Sequence, residues 1–153
     1  MDLFREEGYN CCQAVVLSFA DVLEANNLAT KEILSIIGSG FGGGMARMRE
    51  VCGSFSGMVM MAGFISPADE PQIRQARTAN YALVQEFAEG FRTANGGSIV
   101  CRELLGLAES CKMENPEPSE RTPEYYRKRP CAEIIGNAAA IVAEKLLYIN
   151  ESN

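Results

Sequence analysis

Histidine is absent from the 153 residues. That removes cysteine–histidine nucleophile pairs, Ser-His-Asp triads and every zinc site that needs imidazole. No two cysteines stand in a C-x-x-C pair, so a thioredoxin-type motif is excluded. Positive charge is in deficit: 14 Lys and Arg stand against 20 Asp and Glu, a net charge of −6. A nucleic-acid footprint is therefore not expected, and the short cluster Arg127, Lys128, Arg129 is too small to create one. Long hydrophobic runs are also missing. The most apolar stretch, Met58 to Ile65, is far too short to span a bilayer, so no membrane partner is expected. The opening residues Met1 to Glu7 lack a basic segment followed by an apolar one, and no signal peptide is expected. A cytoplasmic protein is the expectation, and there disulfides are transient or catalytic.

Six cysteines are present, a density well below that of a disulfide-stapled secreted scaffold. They are left as core residues, metal ligands or redox groups. The length fits one domain over residues 1–153 with a substantial core.

Helical periodicity organises the chain. Tyr9, Cys12, Val16, Phe19 and Leu23 recur on one face, which predicts a helix from Asp2 to about Asn26. Cys12 lies in that stripe and reads as a small buried hydrophobe. Cys11 lies about 100° around the wheel, at the stripe's edge. Thr30 predicts an N-cap for a short helix carrying Ile33, Leu34, Ile36 and Ile37. Gly38, Gly40, Gly42, Gly43 and Gly44 follow. They formally contain G-x-G-x-x-G, but no strand–helix alternation supports a dinucleotide fold, so a tight turn or a close backbone approach is expected.

Val51 to about Ile65 reads as a buried helix beginning at Cys52, with Met58, Met60 and Met61 as core filler. Gly53 and Gly57 share a face that would admit a neighbouring helix or a cofactor. Pro67 and Pro71 precede a long helix, roughly Gln72 to Ala94, ended by Asn95-Gly96-Gly97. Ser98 predicts the N-cap of a short helix through Leu105, with Cys101 in its first turn. Ser110 to Arg129 reads as an irregular connection containing Pro116, Pro118 and Pro123, with Cys111 at its start. Pro130 suits the first position of a last helix that contains Cys131 and runs to about Asn150. The expected fold is all-α, a compact bundle of about five helices.

Cys52, Cys101 and Cys131 thus each fall in the first turn of a separate helix. Unpaired N–H groups and partial positive charge there favour a thiolate, the form that reacts or binds metal. Arg127 and Arg129 would favour it further at Cys131. Glu50 and Glu103 flank Cys52 and Cys101, and read as first-turn acids more readily than as proton acceptors.

Gly8-Tyr9-Asn10-Cys11, Gly40-Phe41-Gly42-Gly43-Gly44-Met45, Cys52-Gly53-Ser54-Phe55-Ser56-Gly57, Cys101-Arg102-Glu103-Leu104-Leu105-Gly106 and a late Cys131 occur in order along nearly the whole chain. Together they resemble the redox-active family named for its cysteine pattern, C_GCAxxG_C_C. The resemblance selects Cys11, Cys52, Cys101 and Cys131 as the family cysteines and leaves Cys12 and Cys111 outside the pattern. Ser54 stands where alanine is common. A redox role is what the resemblance implies, without a particular reaction.

Three readings of the cysteines compete. As converging redox thiols, one would attack a disulfide, a sulfenate or another electrophile and a second would resolve the product, with Cys52 and Cys101 the expected nucleophiles. An unknown redox partner or thiol substrate would be required. As metal ligands, the same four would suit zinc or an iron–sulfur cluster and an electron-transfer role. As buried hydrophobes, they would belong to a structural or interaction protein. The Gly53/Gly57 face and the methionine-rich helix would permit a homodimer.

Overall fold

The computed structural model describes residues 2–108 and 114–151. The fold is all-α, as expected. Nine α-helices occur among the described residues: α1 (Asp2–Arg5), α2 (Cys11–Leu17), α3 (Ala20–Ala25), α4 (Lys31–Gly38), α5 (Gly53–Ile65), α6 (Arg74–Ala94), α7 (Cys101–Leu104), α8 (Pro123–Lys128) and α9 (Cys131–Glu151). Five of them have seven or more residues.

The single helix expected over 2–26 is three helices. Gly8 adopts φ +81°, a left-handed turn that a side chain would resist, and the chain breaks between α1 and α2. Asn10 then starts α2 with a capping box. Its Oδ1 accepts from the N–H groups of Cys12 and Gln13, both at 2.9 Å, while its own N–H donates to Gln13 Oε1 at 3.0 Å. The Asn10 Nδ2 also donates to the carbonyls of Gly38 and Ser39, tying α2 to the end of α4.

α5 is the centre. It is apolar on nearly all sides, and Gly53 through Met58, Met61 and Ala62 are buried. It packs on α2, α6 and α9, and α2 also meets α4. The core fills with Val15, Val16, Leu34, Met58, Met61, Phe87, Phe91 and Val142, with the rings of Phe55 and Phe91 5.6 Å apart. Met58 and Met61 are core filler, as expected. Cys12 is too: it is fully buried, and its thiol donates to Met60 Sδ at 3.5 Å.

The Gly53/Gly57 face lets α2 approach. A Cβ on Gly57 would lie 2.8 Å from Val15 Cβ, and one on Gly53 would collide with Cys11 Sγ and come 2.7 Å from the Phe41 carbonyl oxygen. The glycine-rich stretch is both a turn and a close approach. Gly43, Gly44, Met45, Ala46, Arg47 and Arg49 all have φ between +47° and +71°. This is a left-handed turn, closed by wide backbone hydrogen bonds from Arg49 to Gly43 and from Glu50 to Gly44.

The segment 110–129 expected to be irregular contains α8, with Thr122 Oγ1 accepting from Tyr125 N–H and Pro123 in the first turn. Cys111 lies outside the described residues. The α8 segment closes over α1. Arg121 Nη1 donates to the carbonyls of Phe4 (2.7 Å) and Tyr9 (2.9 Å), and its guanidinium sits 4.8 Å from the Phe4 ring centre. No helix among the described residues is long and apolar enough to cross a membrane.

Candidate functional site

All four cysteines sit at helix starts, and all four line one cavity of about 70 Å³. Cys11 is the first residue of α2, behind the Asn10 cap. The expectation that it lies at the edge of a long helix is corrected by the break at Gly8. Cys52 is the N-cap of α5. Cys101 is the first residue of α7 and Val100 its N-cap, so the helix starts two residues later than a Ser98 cap would place it. The Ser98 hydroxyl accepts from Val100 N–H and meets the Glu103 carboxylate, so it braces the entry to α7 rather than capping the helix. Cys131 opens α9, and the Pro130 carbonyl accepts from Ile134 N–H at 3.0 Å.

Two loops are stitched together to bring Cys52 and Cys101 near each other. A single antiparallel bridge joins Val51 to Val100. Cys52 N–H donates to the Ile99 carbonyl (2.8 Å), and Cys101 N–H donates to the Glu50 carbonyl (2.6 Å). The left-handed turn presses from the other side, since a Cβ on Gly44 would lie 2.6 Å from Cys101 Cβ.

Burial governs the acidity of these thiols. It pushes Cys52, 7 % exposed, from the ordinary 9.0 up to about 12. The neighbouring Cys11 adds to the rise. The N–H groups of Ser54 and Phe55 point at the Cys52 sulfur and pull the other way, without closing a cap hydrogen bond. Burial likewise raises Cys131 to about 11, with Cys11 and Cys101 contributing and Arg129 opposing. Cys101 is raised by burial and lowered in part by the guanidinium of Arg49. Lowered pKa values are what the helix starts predict. The helix effect is present but smaller than the cost of placing a thiolate in an apolar wall, and α7 is only four residues long. The charge of Cys11 opposes ionisation of all three partners.

These shifts have a consequence for stability. The folded state holds protons on Cys52 and Cys131 at pH values where the unfolded chain has released them. These two thiols leave stability unchanged well below pH 9 and are expected to lower it as pH rises above 9, through the range to about 12. Urea titrations across that range check this, and Cys52→Ala should flatten the fall.

Several residues at the site were not singled out from the sequence. Arg49, 2 % exposed, donates to Cys101 Sγ at 3.8 Å. It also holds Glu114 through two bonds, Nε to Oε1 at 2.8 Å and Nη2 to Oε2 at 2.6 Å. Arg47 reaches the same carboxylate at 2.6 Å. Burial works against the charge on Arg49, but the bonds to Glu114 and Cys101 outweigh it and hold the guanidinium protonated. Glu114 is kept below the usual carboxylate range by Arg49. Arg121 and Tyr125 complete the wall with Arg129, which the sequence did place beside Cys131; its guanidinium lowers the Cys131 pKa in part and sits 4.7 Å from the Tyr125 ring centre. Arg127, expected beside Cys131 with Arg129, does not line this cavity. Glu50 pairs with Arg102 at 3.0 Å instead of facing the cavity, and Glu103 stands in the first turn of α7.

The five described cysteines are free thiols. Among the described residues, no group of three or more Cys, Asp or Glu side chains is arranged to hold a metal ion.

The chain belongs to the family described as "Putative redox-active protein (C_GCAxxG_C_C)", whose pattern matches residues 9–145. A redox role is the general expectation that this membership carries. No curated protein and no solved structure matches the chain.

Proposed function

We propose that the protein carries out thiol–disulfide chemistry in a cytoplasmic, reducing setting, with Cys11, Cys52, Cys101 and Cys131 as the working thiols. One observation carries this reading: four cysteines from four separate helix starts line a single cavity, while Cys12 is sealed in the core. Other small residues would fill the same walls, so packing alone does not call for cysteine at all four places. Together they supply a nucleophile and a resolving partner. Cys11 suits the shared partner, because it is half-buried and its charge is felt at each of the other three. Cys101 suits the attacking role, because Arg49 partly offsets the burial of its thiolate. The absence of a three-ligand group among the described residues favours this reading over a zinc or iron–sulfur site.

The test is thiol counting after mild oxidation and denaturation. Wild-type protein should lose thiols in pairs and recover them with reductant. Cys11→Ser should suppress that loss, whereas Cys12→Ser should leave it in place. Equal loss in wild type and Cys11→Ser would remove Cys11 from the mechanism, and no loss in wild type would remove the mechanism itself.

A further inference from the structure

A second, larger cavity of about 390 Å³ adjoins the cysteine cavity, and Asn10, Gly43, Arg49, Arg121, Tyr125 and Arg129 line both. The outer one forms an antechamber. Arg47 joins its wall, and no Asp or Glu is among its described lining residues. Four arginines thus face one space in a chain whose net charge is −6.

They are not equivalent. Arg47 and Arg49 are spoken for by Glu114. Arg121 spends Nη1 on two carbonyls and makes no ion pair among the described residues. Arg129 also makes no ion pair there; its guanidinium lies over the face of Tyr125. Two half-buried cations with no carboxylate in ion-pair contact among the described residues therefore stand at the junction of the two cavities.

An independent observation points to a ligand in the inner cavity. Ser54 lines it, and its buried hydroxyl has no hydrogen-bond partner among the described residues. Such a group is costly to leave unmatched, and it marks a place where a polar or charged atom belongs.

We infer that the antechamber binds a small anionic disulfide, one that carries carboxylates, and presents its sulfurs to the cysteine cavity. This inference rests on the thiol–disulfide reading above. Arg121 and Arg129 hold the carboxylates. A cysteine of the inner cavity loses its proton and attacks one sulfur of the ligand. The S–S bond breaks, a mixed disulfide forms, and the departing thiolate takes up the proton, with Ser54 Oγ as a donor to its sulfur. A second cysteine then displaces the other half in the same way. Two electrons pass from the protein to the ligand, two small thiols leave, and the protein holds one internal disulfide.

The experiment uses three disulfides of similar size and different charge: 3,3′-dithiodipropionate, hydroxyethyl disulfide and cystamine. The rate at which each oxidises the reduced full chain is measured, together with calorimetric binding of suberate, the carbon analogue of the anionic probe. The anionic disulfide should react roughly tenfold faster than the neutral one, with the cationic one slowest, against the sign of the net charge. Arg129→Gln should collapse the anionic-to-neutral ratio and Arg129→Lys should keep it. A general loss of thiol reactivity or of folding would move both rates together and leave the ratio intact. Suberate should bind wild type and bind Arg129→Gln more weakly. Equal rates for the three probes, or an unchanged ratio in Arg129→Gln, would overturn the proposal. Failure of suberate to bind while hydroxyethyl disulfide still oxidises the protein would overturn the anion site alone. Suberate binding with no oxidation by any disulfide would overturn the thiol reading and this inference with it.

Discussion

Replacing Glu114 with glutamine is expected to destabilise the fold by about 3 kcal/mol and to make Cys101 more acidic. Glu114 is the only carboxylate paired with Arg49 among the described residues, and the Arg49 side chain is 3 % exposed. Removing one partner of a buried pair leaves the other charge uncompensated, which costs more than the pair is worth when intact. Arg47, the second cation on the same carboxylate, adds to the imbalance. The guanidinium keeps only a neutral amide oxygen in place of the carboxylate, and the Cys101 sulfur at 3.8 Å is its other side-chain acceptor among the described residues. The Cys101 thiolate is then favoured by a positive charge no longer shared. Arg49→Met should act in the opposite sense on the thiol, since burial would no longer be offset. Urea unfolding gives the stability, and the pH profile of alkylation at Cys101, read by peptide mass, gives the acidity. A stable Glu114→Gln variant with an unchanged Cys101 profile would show that Arg49 does not couple the carboxylate to the cavity.

Gly44→Ala is expected to cost about 4 kcal/mol and to disrupt the cavity. Gly44 has φ +71°, where an L side chain is strained by roughly 1 kcal/mol. The added methyl would also meet Cys101 Cβ at 2.6 Å and the Glu50 backbone at 3.0 Å. None of those atoms is the loose end of a long side chain, so relief requires moving the Glu50–Cys101 backbone pairing, an overpacking cost of a few kcal/mol more. Gly96→Ala is the control. Gly96 has φ +80° but open space around it, so its cost should stay near 1 kcal/mol. Chemical denaturation of the two variants side by side tests the difference, and thiol counting should show oxidative pairing impaired in the first only. Equal costs would mean that the turn is held by its own conformation and not by its contact with Cys101.

The helix starts at Cys52 and Cys131 were legible to within a residue and that at Cys101 to within two, because caps, glycines and prolines punctuate the chain locally. The buried character of α5 was legible from its unbroken apolar composition. The break before α2 was not. The stripe Tyr9, Cys12, Val16, Phe19 and Leu23 begins just after the left-handed Gly8 and stays in phase across the second break, between α2 and α3, so the spacing of apolar residues shows neither interruption. α8 was masked by its prolines, although Thr122-Pro123 is a cap followed by a favoured first residue. Arg49, Glu114 and Arg121 acquire their roles from tertiary placement, which no local spacing encodes, whereas Arg129 was legible from its place two residues before Cys131. The direction of the thiol shifts was missed for the same reason: a helix start is written in the sequence, whereas burial is a property of the assembled fold.

The most direct test of the account is the intact mass of protein purified without oxygen, measured native and denatured, then after mild oxidation and after reduction. The account predicts equal native and denatured masses, a loss of two hydrogens per disulfide on oxidation, and recovery with reductant. Peptide mapping should place the disulfide within the set Cys11, Cys52, Cys101 and Cys131. Added native mass matching zinc or iron with sulfide, lost on denaturation, would contradict it, as would a disulfide that engages Cys12 in place of these four.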